Sequence, residues 1–109
     1  MNLELFEQDI MHEIRNNDVY IIKDYDMKKL KISTTILNPR KHTNGHYHDN
    51  IEEVYYCLKG KGFILLTGEP QVFNKGDIIT IPAGEHHRVL NLSRTKKLKF
   101  LCVMNKYKR

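Results

Sequence analysis

The sequence is short of the residues that punctuate or cross-link a chain. Of its 109 residues six are glycine, three proline and two cysteine. With 40% hydrophobic and 28% charged residues, this excludes collagen-like and low-complexity chains and describes an ordinary globular composition. Cys57 and Cys102 stand far apart in apolar surroundings, and neither lies in a C-x-x-C pair. A thiolate zinc site is therefore excluded, and buried free thiols are expected rather than a disulfide. No apolar run approaches the roughly 20 residues of a membrane span, so no membrane partner is expected. The N-terminus carries Glu4, Glu7 and Asp9 and lacks the basic flank and long apolar stretch of a secretion signal, which predicts a cytoplasmic protein. The length suits one domain, since domains commonly run to about 100–150 residues.

Acid is also missing from one region. Residues 94–109 hold Arg94, Lys96, Lys97, Lys99, Lys106, Lys108 and Arg109 and no carboxylate, while the chain as a whole carries a formal charge of +5. Basic patches bind phosphate backbones. Here Lys96, Lys97 and Lys99 read as a turn entering a strand and residues 106–109 as a basic, solvated tail, so no nucleic-acid partner is expected. The positive balance suits an anionic small-molecule substrate.

The remaining sequence divides into two characters. Phe6, Ile10 and Ile14 recur at four-residue spacing beside Leu3 and Met11, so residues 1–17 form an N-terminal arm or a short amphipathic helix. Residues 18–105 are one β domain. Its short runs of β-branched and aromatic residues are Val19–Lys23, Lys29–Leu37, Glu53–Leu58, Phe63–Leu66, Gln71–Phe73, Ile78–Ile81, His86–Leu92 and Leu98–Met104. They are separated by glycine, proline, asparagine and aspartate, with Gly68-Glu69-Pro70 read as one of the turns. Many short strands without intervening helices predict an all-β sandwich or jelly-roll barrel.

Two stretches carry the chemistry. In the first, side-chain alternation along an extended chain puts His46 and His48 on one side, close enough to approach one metal ion. Glu53, Tyr55 and Cys57 then share one face of the next strand, and Glu52, Val54, Tyr56 and Leu58 the other. In the second, Pro82 and Gly84 make a tight connection before a strand on which His87, Val89 and Asn91 share one face, with His86 and Arg88 opposite.

These stretches resemble the two motifs of the cupin family. His46-x-His48, four residues, Glu53, six residues and Gly60 match the first. Gly76, five residues, Pro82-x-Gly84, two residues, His87, three residues and Asn91 match the second. The spacing selects Glu53 over Glu52 and His87 over His86. The resemblance implies a single-domain cupin jelly-roll barrel holding one divalent transition metal ion (iron, manganese, nickel, zinc, cobalt or copper), with His46, His48, Glu53 and His87 as ligands. Imidazole and carboxylate donors suit such ions, and a cation removes the cost of burying Glu53. Four ligands leave positions open, which points to a catalytic centre with Glu53 and Tyr55 as catalytic candidates. Tyr55 can donate to a substrate oxygen or simply fill the barrel. Arg40 and His42, in the preceding loop, and Asn91, on the ligand face, are candidates for substrate binding.

The run Gly45–His48, Glu53–Gly62 and His87–Asn91 further resembles cupin-type sugar-phosphate isomerases. That resemblance implies an isomerase or epimerase acting on a sugar or sugar phosphate through a metal-stabilised enediolate or a hydride shift. A non-haem iron dioxygenase and a non-catalytic metal- or sugar-binding module are the alternatives. The outward apolar set Val54, Tyr56 and Leu58 asks for cover on a second face, so a homodimer is expected.

Overall fold

The structure, a computed structural model, describes residues 1–45 and 49–106. Along the chain the described residues form helix α1 (Leu3–Asp9) and strands β1 (His12–Asn16), β2 (Tyr20–Asp26), β3 (Leu30–Leu37), β4 (Glu53–Lys59), β5 (Lys61–Leu66), β6 (Glu69–Asn74), β7 (Ile78–Ile81), β8 (His87–Leu90) and β9 (Leu98–Asn105). The strands make a six-stranded sheet in the order β1-β2-β3-β9-β4-β7 and a three-stranded sheet in the order β6-β5-β8, with every pairing antiparallel. This is the expected all-β jelly-roll sandwich. No helix among the described residues is long and apolar enough to cross a membrane.

Period-two alternation builds the core between the sheets. Glu53, Tyr55 and Cys57 of β4 are buried, as are Leu98, Phe100 and Cys102 of β9, Gly62, Ile64 and Leu66 of β5, and His87 and Val89 of β8. The ring of Tyr55 stacks on Phe100 at 5.5 Å, and Phe73 meets Phe100 edge-on at 5.8 Å. Both cysteines are free and buried. Burial pushes the Cys57 thiol above its ordinary pKa.

On the outside of the six-stranded sheet α1 covers β2, β3 and β9. Asn2 caps this helix, its side chain accepting from the Leu5 amide at 2.9 Å. Phe6 packs edge-on against Tyr25 at 5.6 Å. The buried Glu7 accepts from the Thr34 hydroxyl at 3.0 Å and from Lys99 Nζ at 2.6 Å, tying the helix to β3 and β9. The four-residue spacing therefore carries helix only to Asp9; Ile14 lies in β1 and is 46% exposed. All five residues of β1 are exposed, and its backbone pairing with β2 holds it.

The turn expected at Gly68-Glu69-Pro70 sits one residue earlier. Leu66 pairs with Glu69, so Thr67 and Gly68 form the tight turn, both with positive φ (47° and 82°). Pro70 is inside β6, which proline tolerates because β6 is an edge strand.

Candidate functional site

The first residue of β4 and the first of β8 bring two titratable groups together. Glu53 and His87 are 5% and 2% exposed, and His87 Nε2 lies 2.7 Å from Glu53 Oε2. The other ring nitrogen, Nδ1, faces the Glu85 carbonyl at 3.0 Å. A carbonyl only accepts, so Nδ1 is the donor and carries hydrogen. Nε2 of the neutral ring is then a lone pair directed at a carboxylate. A proton or a metal cation between the two groups removes that conflict. In the metal-free protein burial pulls the His87 pKa down, but the Glu53 hydrogen bond, the Glu85 carbonyl and the Glu53 charge outweigh it, and the net shift is upward.

Beside this pair lies a cavity of about 270 Å³ formed by β2, β3, β4, β9 and the loop at residues 43–44. Its lining mixes Tyr20, Ile22, Phe100 and Met104 with the polar side chains of Ser33, Thr35, Thr43, Asn44, Glu53, Tyr55 and Cys102. Tyr55 packs edge-on against His87 at 5.7 Å. Burial above all, with the Glu53 carboxylate adding to it, holds the Tyr55 pKa well above its ordinary value. The phenol is therefore a neutral donor. Cys102 is raised too, by burial and then by Glu53, so it stays a thiol.

Sequence-expected residues separate into three groups. Glu53, Tyr55 and His87 come together. His46 and His48 lie outside the described residues, but both flanks of their segment are tethered near the site. On one side the Thr43 amide donates to the Val89 carbonyl at 2.9 Å. A Cβ on Gly45 would meet the His86 ring, so the backbone there runs against that side chain. On the other side Asn105 Nδ2 donates to the Asn50 carbonyl at 2.9 Å, and the Glu52 amide donates to Asn105 Oδ1 at 2.7 Å.

Arg40, His42 and Asn91 are not brought to the cavity lining. The Arg40 amide donates to the Ser93 carbonyl at 3.0 Å, beyond the far end of β8. His42 is exposed and bridges to Leu90. Asn91 is buried, and its amide nitrogen donates to the carbonyls of Leu37, Asn38 and Lys96 at 3.0, 3.2 and 2.9 Å, while its oxygen accepts from the Ser93 amide at 3.1 Å. Its polar atoms are committed to holding two loops.

Ser33, Thr35, Thr43, Asn44 and Cys102 were not anticipated in the lining. Alternation offered a signal for three of them, since Ser33 and Thr35 share a face with Leu37, and Cys102 with Leu98 and Phe100. Nothing local marks the loop residues Thr43 and Asn44.

Among the described residues no three histidine, cysteine, aspartate or glutamate side chains form a metal-holding group. The two donors that meet, one imidazole nitrogen and one carboxylate oxygen in a buried polar setting, fit a first-row divalent ion.

Comparison with known proteins agrees with this architecture. An archaeal glucose-6-phosphate isomerase from Thermococcus litoralis is 38% identical over 88 residues, covering 68% of this chain and 46% of that protein. An uncharacterised protein of Methanocaldococcus jannaschii is 35% identical over 78 residues, covering 72% of this chain and 62% of the relative. The chain thus spans about half the length of the curated relatives it matches. Among solved structures, KdgF from Halomonas sp. superposes with a TM-score of 0.76 over 93% of this chain and 89% of its own, at 14% identity. The cupin domain pattern itself matches residues 33–104, from the hydroxyl-bearing middle of β3 to the end of β9, and the chain therefore belongs to the cupin domain family.

Proposed function

We propose that this cupin is a metal-dependent isomerase or epimerase acting on a sugar or sugar phosphate, with His46, His48, Glu53 and His87 holding the ion. The observation that carries the reading is the buried Glu53–His87 contact of 2.7 Å facing a cavity lined with hydroxyl groups. Similarity to an isomerase of glucose 6-phosphate supports the substrate class.

The bound ion would supply Lewis acidity toward neighbouring sugar oxygens. The chain's own side chains account for the rest. The Glu85 carbonyl fixes the His87 ring through Nδ1 and leaves Nε2 to face inward. Tyr55, kept protonated by its burial, donates a hydrogen bond to a substrate oxygen. The Glu53 carboxylate balances the cation and is the nearest group able to take up a proton. Phe100 and the ring of Tyr55 give the cavity an apolar wall. Val54, Tyr56 and Ile78 leave apolar surface on the outside of β4 and β7, which supports a homodimer through this sheet.

Metal content of the natively purified protein, followed by a panel of aldose and ketose phosphates in deuterated water with proton NMR, tests the reading. We expect bound metal in the wild type, loss of it in both Glu53→Ala and His87→Ala, and exchange at the carbon beside the carbonyl of at least one sugar phosphate. Full occupancy in both variants would overturn the ligand set. Metal retention with oxygen uptake and no carbon-bound exchange would replace the isomerase with an oxygenase.

A further inference from the structure

Five lysines between residues 59 and 97 have no part in the chemistry above. β4 carries the chain from Glu53 to Lys59, about 20 Å at the rise of a strand. Its far end opens onto a second, larger concavity of about 830 Å³. Lys59, Lys61, Lys75, Lys96 and Lys97 line it, together with Gly60, Ser93 and Thr95.

Three features set this cleft apart from an ordinary solvated surface. The first is the absence of acid. Elsewhere Lys31 is compensated by Asp24 and Asp26, Lys106 by Asp26 and Lys99 by Glu7, while Lys23, Lys28, Lys29 and Lys41, unpaired among the described residues, do not share a concavity of this kind. Among the described residues none of the five cleft lysines lies within ion-pair distance of a carboxylate, and no carboxylate lines the cleft.

The second is that the lysines come from three separate segments held together by backbone. The Lys75 amide donates to the Gly60 carbonyl at 3.0 Å. A Cβ on Gly60 would approach the Lys97 carbonyl to 2.7 Å, so the β4–β5 turn and the 93–97 loop touch. Ser93 Oγ accepts from the Thr95 and Lys96 amides at 3.3 and 3.0 Å, and the Asn91 amide holds the Lys96 carbonyl from beneath. Like charges are thus gathered against their mutual repulsion by a rigid frame.

The third is the chemistry of the lining. It contains no aromatic or large apolar side chain. A nucleobase has nothing to stack on, which disfavours single-stranded nucleic acid. The volume lies within the range of about 300–1,000 Å³ typical of small-ligand sites.

We propose that this cleft is a second ligand site, separate from the Glu53 cavity, that binds a compact, multiply charged phosphate anion. Ammonium groups recognise phosphate as point charges, and several around one concavity favour a ligand bearing more than one phosphoryl group over orthophosphate. The site does not rest on the isomerase reading, since none of its residues lines the other cavity.

Calorimetry with inorganic tripolyphosphate, with amide-shift mapping by NMR, tests it on the intact chain. We expect saturable binding that weakens with salt, shifts at Gly60, Lys61 and Thr95–Lys97, and weaker binding of orthophosphate. Lys96→Gln/Lys97→Gln and Lys59→Gln/Lys61→Gln should each lower affinity about tenfold or more, one decade being about 1.4 kcal/mol. Lys28→Gln/Lys29→Gln removes the same charge at the other end of the molecule and should change affinity less than threefold. An equal loss in this control would reduce the effect to net charge and overturn the site. Shifts confined to the Glu53 cavity would overturn it too, as would binding of oligonucleotides or anionic vesicles without saturable binding of tripolyphosphate. The substituted residues are exposed, so unchanged wild-type spectra elsewhere will show that the variants fold.

Discussion

At its first residue β4 places Glu53 among buried groups, 2.7 Å from an imidazole; at its last it places Lys59 in solvent, in a cleft with four other lysines. The same strand thus ends in two kinds of charge. At the Glu53 end little water is available to solvate a carboxylate, so its charge must be met by a proton, a cation or a hydrogen bond. At the Lys59 end water solvates each ammonium, and a ligand has to displace that water and its counterions to bind. In the two proposals above, the first end would hold an ion and a substrate, and the second would capture an anion by its charge. What the contrast teaches is that the architecture beneath the lysines, and not the lysines themselves, should carry the stability of their end.

Substitutions can break or sharpen that contrast. The largest effect is expected at Asn91, whose side chain joins Leu37, Asn38, Ser93 and Lys96 from a position 1% exposed. Asn91→Ala should cost on the order of 3 kcal/mol in denaturant unfolding, because several loop groups lose their partner at once. A loss under about 0.5 kcal/mol would show that water replaces the amide and that the frame is not rigid.

Gly60→Ala comes next, at about 2 kcal/mol. Its φ is +97°, a conformation that side chains avoid, and the added Cβ would press on the Lys97 carbonyl at 2.7 Å. Gly68→Ala, with a φ of +82° but open space around it, should cost less, so the difference between the two reads the close approach alone.

Two lysines then separate a compensated charge from an uncompensated one. Lys99→Gln removes the ion that meets the buried Glu7 at 2.6 Å and should destabilise by roughly 1 kcal/mol, a figure held low because Lys99 is still part-exposed. Lys59→Gln should change stability by less than about 0.5 kcal/mol in either direction. Thermal unfolding of the pair decides the matter: equal losses would mean that the cleft lysines are structural.

Much of this layout was legible beforehand, and the exceptions have definite causes. Period-two alternation in Glu53–Leu58 placed Glu53, Tyr55 and Cys57 on the buried face, because alternate side chains of a strand share one face of its sheet and that face is packed in the core. Ile78–Ile81 begins and ends where its β-branched run does. β1 carries no signature in the sequence because all its side chains are exposed, so no burial pattern marks it; its backbone bonds to β2 do not depend on side-chain type. The arm 1–17 is thus helix and strand in succession, α1 over Leu3–Asp9 and β1 over His12–Asn16. Arg40 and His42 are close to the histidine motif in sequence, but the chain between them crosses most of the length of β8, bonded to Asn91 and Val89, before reaching Gly45.

By itself the sequence determined the kind of fold and singled out Glu53 and His87 as residues of one site, since alternation and motif spacing are properties of consecutive residues. Only the tertiary structure decided that Glu53 and His87 meet, that Asn91 turns away to pin loops, and that lysines from three distant segments share one cleft. Those outcomes depend on which strand pairs with which, a choice made by burial and backbone hydrogen bonding across the whole domain and not encoded at any single stretch.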